Sequence, residues 1–165
     1  MSDQSEAFAE GIDFAVVAYR EEGQWQVEQI ALEKIEDIDS LAAELRRWPG
    51  DGGSLGMVSV DEDFLLLVRV AGARTQVLLS DVTAATDWPI ARSAVEFLGI
   101  PIPEDEDDQV PAGDLSILAD LGMGAMDMGA LLDDYDLYPD EMLADIAAKV
   151  GFGAQFDEVV GVPAT

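Results

Sequence analysis

The chain has 165 residues, 49% of them hydrophobic, and a mean hydropathy of +0.13. Asp and Glu number 35 against 8 Lys and Arg, which sets the net charge at −27 at pH 7. A chain this apolar is expected to fold despite its charge. A field of this sign repels phosphate backbones, and with no basic run visible it argues against direct nucleic-acid binding. Cys and His are both absent, so the chain holds no disulfide, no thiolate or imidazole metal site and no Ser-His-Asp or Cys-His nucleophile system.

Residues 1–11 read as a flexible acidic lead. The start "MSDQSEAFAEGIDF" lacks a basic n-region and a long apolar core. No stretch reaches the roughly 18 apolar residues that span a bilayer, so the expected setting is the cytoplasm, with no membrane partner. "IDFAVVAY" (12–19) and "QWQVEQI" (24–30) flank the turn "REEG" and predict a β-hairpin. In "EDIDSLAAELRRW" (36–48) the apolar residues Ile38, Leu41, Leu45 and Trp48 recur at helical spacing, and "PGDGG" stops the helix. Three strands follow, "SLGMVSV" (54–60), "FLLLVRV" (64–70) and "TQVLLSD" (75–81), joined by links short enough for hairpins. A second helix is expected over about 82–98, with Pro89 in its first full turn and a start nearer Asp87 than Val82.

The order β-β-α-β-β-β-α predicts an α+β domain over 12–99 with a five-stranded, mostly antiparallel sheet. That order resembles the longin, roadblock and profilin-like folds, which serve mainly as interaction platforms; fold alone does not assign function. "FLLLVRV" is almost continuously apolar, so both faces of that strand must be covered, by a homodimer partner or by the rest of the chain.

"IPIPEDEDDQVPAG" (100–113) reads as an acidic, Pro-rich linker. Residues 114–160 read as a helical extension packed on the sheet, with 161–165 a tail. Its expected pieces are 114–122 with Asp114 as cap, 123–135, a helix within "YPDEMLADIAAKVGF" (138–152) with Pro139 in its first turn and Gly151 as C-cap, and a last short turn in "GAQFDEVVG". Residues 103–165 carry 16 acids and 1 base. Met123, Met126 and Met128 fill a core or offer an adaptable surface, and core is the commoner role. Trp25, Trp48 and Trp88 are likewise expected as buried anchors.

"ALLDDYDLYPDEML" (130–143) concentrates the acids. As a calcium loop it fails: counted from Asp134, the fifth and sixth positions are Tyr138 and Pro139. Asp140 and Glu141 suit a helix first turn, whereas Asp133, Asp134 and Asp136 need another reason. Among 35 carboxylates some pairs approach by chance, so no catalytic pair, metal site or cofactor is assigned. "PGDGGSLG" lacks the P-loop Lys and precedes a strand. The residues favoured for partner contact are Asp133, Asp134, Asp136, Tyr138 and Asp140.

Three stretches, "SLGMVSVDEDFLLLVRV", "LLSDVTAATDWPIA" and the segment from "PAGDLSILADLG" to "GFGAQFDEVV", resemble the bacterial tRNA adenosine deaminase-associated protein family over about residues 12–160. The resemblance implies a cytoplasmic accessory protein linked to wobble-adenosine editing. The chain lacks the His-x-Glu and Pro-Cys-x-x-Cys set of zinc nucleobase deaminases, so it is not the deaminase. The leading expectation is a non-catalytic module whose acidic surface meets a basic protein, with that deaminase a candidate. The alternatives are an acidic mimic that inhibits an RNA-binding protein, and a divalent-cation enzyme built on carboxylates.

Overall fold

A computed structural model describes residues 12–30, 37–48, 53–60, 63–86, 88–100, 110–134 and 137–160. The acidic lead, most of the linker, the tail and Asp136 lie outside the described residues.

The sheet is built from β1 (Ile12–Glu21), β2 (Gln24–Gln29), β3 (Ser54–Val60), β4 (Phe64–Ala71), β5 (Arg74–Leu79) and β6 (Ala112–Gly113). Their spatial order is β2-β1-β3-β4-β5-β6, and every neighbouring pair is antiparallel. The expected count of five strands is therefore corrected to six. Ala112 and Gly113, read as the end of the linker, pair with Leu79 and Leu78. Two residues after a proline give no strand periodicity, so nothing in the sequence marks them.

Gly113 explains why the chain can run so close to β5. Its φ of 113° suits glycine, and a Cβ there would collide with the Val77 carbonyl oxygen. The next residue continues the contact, with Asp114 N–H donating to Val77 O at 3.0 Å and Gln76 Nε2 donating to the Asp114 carboxylate at 2.7 Å. Asp114 also accepts from Ser116 N–H at 2.9 Å. The expected helix after it is a turn followed by a 3-10 segment, Ala119–Leu121.

Two helices cover one face of the sheet. α1 (Ile38–Leu45) starts in a reciprocal cap: Ser40 N–H donates to Asp37 at 2.8 Å, and Asp37 N–H donates to Ser40 Oγ at 2.9 Å. Ser54 Oγ donates to Leu45 O at 2.6 Å and satisfies its last turn. α2 (Pro89–Leu98) begins later than 82. Asp81 accepts from both the N–H and the hydroxyl of Thr83, which turns Val82–Thr86 into a 3-10 segment. Pro89 then opens the α-helix at a position that needs no N–H donor.

α3 (Ala125–Leu132), α4 (Pro139–Val150) and α5 (Gly153–Val160) cover the opposite face. β4 shows why both layers are needed. Phe64, Leu66, Val68 and Val70 enter the core beneath α1 and α2, while Leu65 and Leu67 enter the core beneath the C-terminal helices. The second cover is thus the chain itself. Met123 and Met128 are buried in that second core, but Met126 is 89% exposed. The rings of Trp25 and Phe152 lie 4.9 Å apart and tie β2 to the chain between α4 and α5. Trp48 and Trp88 pack against the first core, partly buried.

Arg69 is the polar exception in β4. It is buried on the C-terminal face, donating to Ile117 O at 2.9 Å and forming a two-pronged pair with the exposed carboxylate of Asp120, one prong at 2.9 Å. The Arg69 hydrogen bond and charge outweigh partial burial and hold the Asp120 carboxyl below its ordinary value of 3.8. A lowered carboxyl pKa contributes stability that is complete above the ordinary value and lost as pH falls through the folded value.

Asp120→Asn is expected to cost about 1 kcal/mol at pH 7. By urea denaturation, the gap from wild type should hold down to about pH 5 and close below about pH 4. Gly113→Ala is expected to lower stability by roughly 2 kcal/mol or more, read as an earlier urea midpoint.

Candidate functional site

The C-terminal layer sorts its residues sharply. Met128, Leu132, Leu143, Ile146 and Phe156 face the sheet and are buried. Asp127, Asp133, Asp140, Asp145, Asp157 and Glu158 are exposed on the outside. Burial of one stripe fixes the helices, and the acids are left at the water-facing surface.

The residues favoured for contact bracket the short connection between α3 and α4. Asp133 is the C-cap of α3, its N–H donating to Gly129 O at 3.1 Å. Asp134 N–H donates to Leu131 O at 3.2 Å, and Asp134 O accepts from Leu137 N–H at 3.1 Å. Both acids therefore stand at the carboxyl end of a helix, where the macrodipole disfavours negative charge. Asp140 and Glu141 occupy the opposite situation, the first turn of α4, where it is favoured. Glu141 also accepts from the Tyr138 N–H at 2.9 Å, closing the start of that helix. Tyr138 itself is 56% exposed. Asp133, Asp134, Tyr138 and Asp140 are each exposed, at the end of α3 and the start of α4, while Asp136 is outside the described residues.

Among the described residues, no group of three or more Asp or Glu is placed to hold a metal ion. The single base of this half, Lys149, sits 3.6 Å from Asp127.

The fold also gathers arginines that are far apart in sequence at one end of the sheet. Arg20 stands 5.3 Å over the Trp25 ring. Arg46 donates to Thr75 Oγ1 at 2.6 Å, Arg47 to Glu44 at 3.3 Å, and Arg69 pairs with Asp120. These groups already hold structural partners, with Glu21 and Glu22 at the neighbouring hairpin tip, and Arg46 and Arg69 join different elements. The arginines lie twenty or more residues apart, apart from Arg46 and Arg47, and no local run announces them.

A family model described as "Rv3753c-like tRNA adenosine deaminase-associated protein" matches residues 13–153. The chain belongs to this family. The match takes in the sheet, α1 to α4 and the acidic connection, and stops where α5 begins. The chain is similar to Protein Rv3753c of Mycobacterium tuberculosis (strain ATCC 25618 / H37Rv), with 38% identity over 150 residues, which is 89% of this chain and 87% of that protein. No solved structure matches the chain, so the likeness to longin, roadblock and profilin-like folds rests on element order alone.

Glu141→Ala should remove the hydrogen bond to the Tyr138 N–H and cost about 1 kcal/mol in urea denaturation. Asp133→Asn is expected to be neutral or slightly stabilising, by at most about 0.5 kcal/mol, because it relieves the unfavourable dipole.

Proposed function

We propose that this protein is a non-catalytic accessory factor that associates with a tRNA adenosine deaminase in the cytoplasm, meeting a basic surface of that enzyme through its own acidic exterior. The observation that carries the reading is the placement of Asp133. It stands exposed against the dipole of α3, where its charge does not help the helix, a few residues ahead of the exposed Tyr138. Charge retained where folding does not favour it points to a use outside folding. A tyrosine at its centre supplies the apolar contact area that interface anchors need.

The family description supports the identity of the partner. The lack of any His or Cys supports a role other than zinc-dependent deamination in the chain itself. A chain of −27 is a poor ligand for RNA. The deaminase, which must hold a polyanion, presents the complementary sign, so tRNA is reached through the enzyme. Long-range attraction of this type raises the association rate and falls with added salt.

Surface plasmon resonance against the deaminase of the same organism tests this directly. Micromolar or tighter binding at low salt is expected, weakening as salt rises. The variant carrying D133N, D134N, D136N and D140N should associate roughly three- to tenfold more slowly, with a smaller change in dissociation. Absence of binding, or identical association rates, would overturn the reading.

A further inference from the structure

The opposite side of the sheet carries a hollow that the acidic connection does not reach. Between the start of α1 and the outer face of α2 lies a cavity of about 450 Å³, within the ~300–1,000 Å³ span of ligand pockets. Its chemistry is one-sided. Asp37, Asp39 and Glu96 line it against a single guanidinium, Arg92, and Phe97 forms part of the wall with 41% of its surface exposed. The two helices are already joined within it, since Ile38 N–H donates to Ser93 Oγ at 2.9 Å. Arg92 lines the cavity as well, and its Nε donates to the Ala85 carbonyl oxygen at 3.5 Å.

Three carboxylates beside an exposed ring suit an organic cation more than a metal ion. A metal needs its oxygen ligands converged at about 2.0–2.6 Å, and among the described residues no such group of carboxylates occurs. A guanidinium or ammonium instead donates hydrogen bonds to separated carboxylates while its alkyl stem or charge lies on an aromatic face.

We infer that the α1–α2 cavity is the receptor for an arginine or lysine side chain projecting from a protein partner. The choice of a protein rests on the function proposed above, in which the partner surface is basic. Charge complementarity supplies the specificity, and the exposed Phe97 supplies apolar contact. The molecule then has two acidic contact regions on opposite faces of the sheet, and a partner engaging both must wrap its edge or approach as two copies.

Asp39, Glu96 and Phe97 are exposed, so the triple variant D39N, E96Q, F97A is expected to fold, which circular dichroism checks. By isothermal titration against the same deaminase, it should bind about fivefold more weakly or worse. Normal wild-type binding with unchanged affinity in this variant would overturn the cavity and leave the proposed function standing. A wild-type chain that does not bind the deaminase would overturn that function, and a second probe then decides the cavity alone. In an amide NMR titration with a short arginine-rich peptide, the largest shifts are expected at Asp39, Ser93, Glu96 and Phe97. Shifts confined to the C-terminal helices would overturn the inference.

Discussion

The structure depends on a sheet whose central strands are apolar on both sides. Every residue of β3, and of β4 from Phe64 to Val70, is buried, so neither face can be left to water. Each buried aliphatic side chain contributes about 1.5–3 kcal/mol relative to exposure, and two alternating sets must be covered at once. The α1–α2 layer and the C-terminal layer are therefore interdependent. Leu65 and Leu67 cannot be sheltered without Leu143, Ile146 and Phe156, which in turn have no core of their own. The acidic half of the sequence is one of the walls of the fold.

That arrangement settles how so charged a chain folds. The carboxylates of α3, α4 and α5 occupy the outer stripe of helices whose inner stripe is apolar, so repulsion acts at the high-dielectric surface where it is weakest. Two of the few bases hold joints. Arg46 ties α1 to the β4–β5 turn, and Arg69 fastens β4 to the segment at Ile117 and Asp120. The acids so outnumber the bases that the exterior keeps an excess of one sign, which is the property the proposed association uses.

Local pattern made most strands and helices readable. "SLGMVSV" occupies β3 end to end, bounded by glycines before and acids after, and the nearly continuous apolar run of β4 announced two covered faces. What escaped were features made by distance along the chain. β6 has only two residues and exists because β5 offers a free edge to pair with. The partner of Arg69 is 51 positions away, and inside "FLLLVRV" an arginine looks merely like an interruption. The α1–α2 cavity joins Asp37 and Asp39 to Glu96 and Phe97, residues that only the packing of two helices brings together. At the acidic connection the exposure of Asp133, Tyr138 and Asp140 follows from amphipathic spacing. The unfavourable position of Asp133 and Asp134 needed the observed end of α3. Met126 departs from its neighbours because Met123 and Met128 face inward and it does not.

β2 forms one rim of the sheet, and a rim strand offers unpaired backbone groups that other chains can join. Here the last helix stands guard. The Gln155 side-chain amide donates to Trp25 O at 3.3 Å, and Gln29 reaches back to Val159 O at 3.3 Å. β2 carries one charged residue, Glu28, and no proline, so it has few other defences against edge-to-edge growth. Loss of the chain from Gly153 onward would bare both this rim and the pocket that Phe156 fills, leaving an open strand edge beside exposed apolar surface.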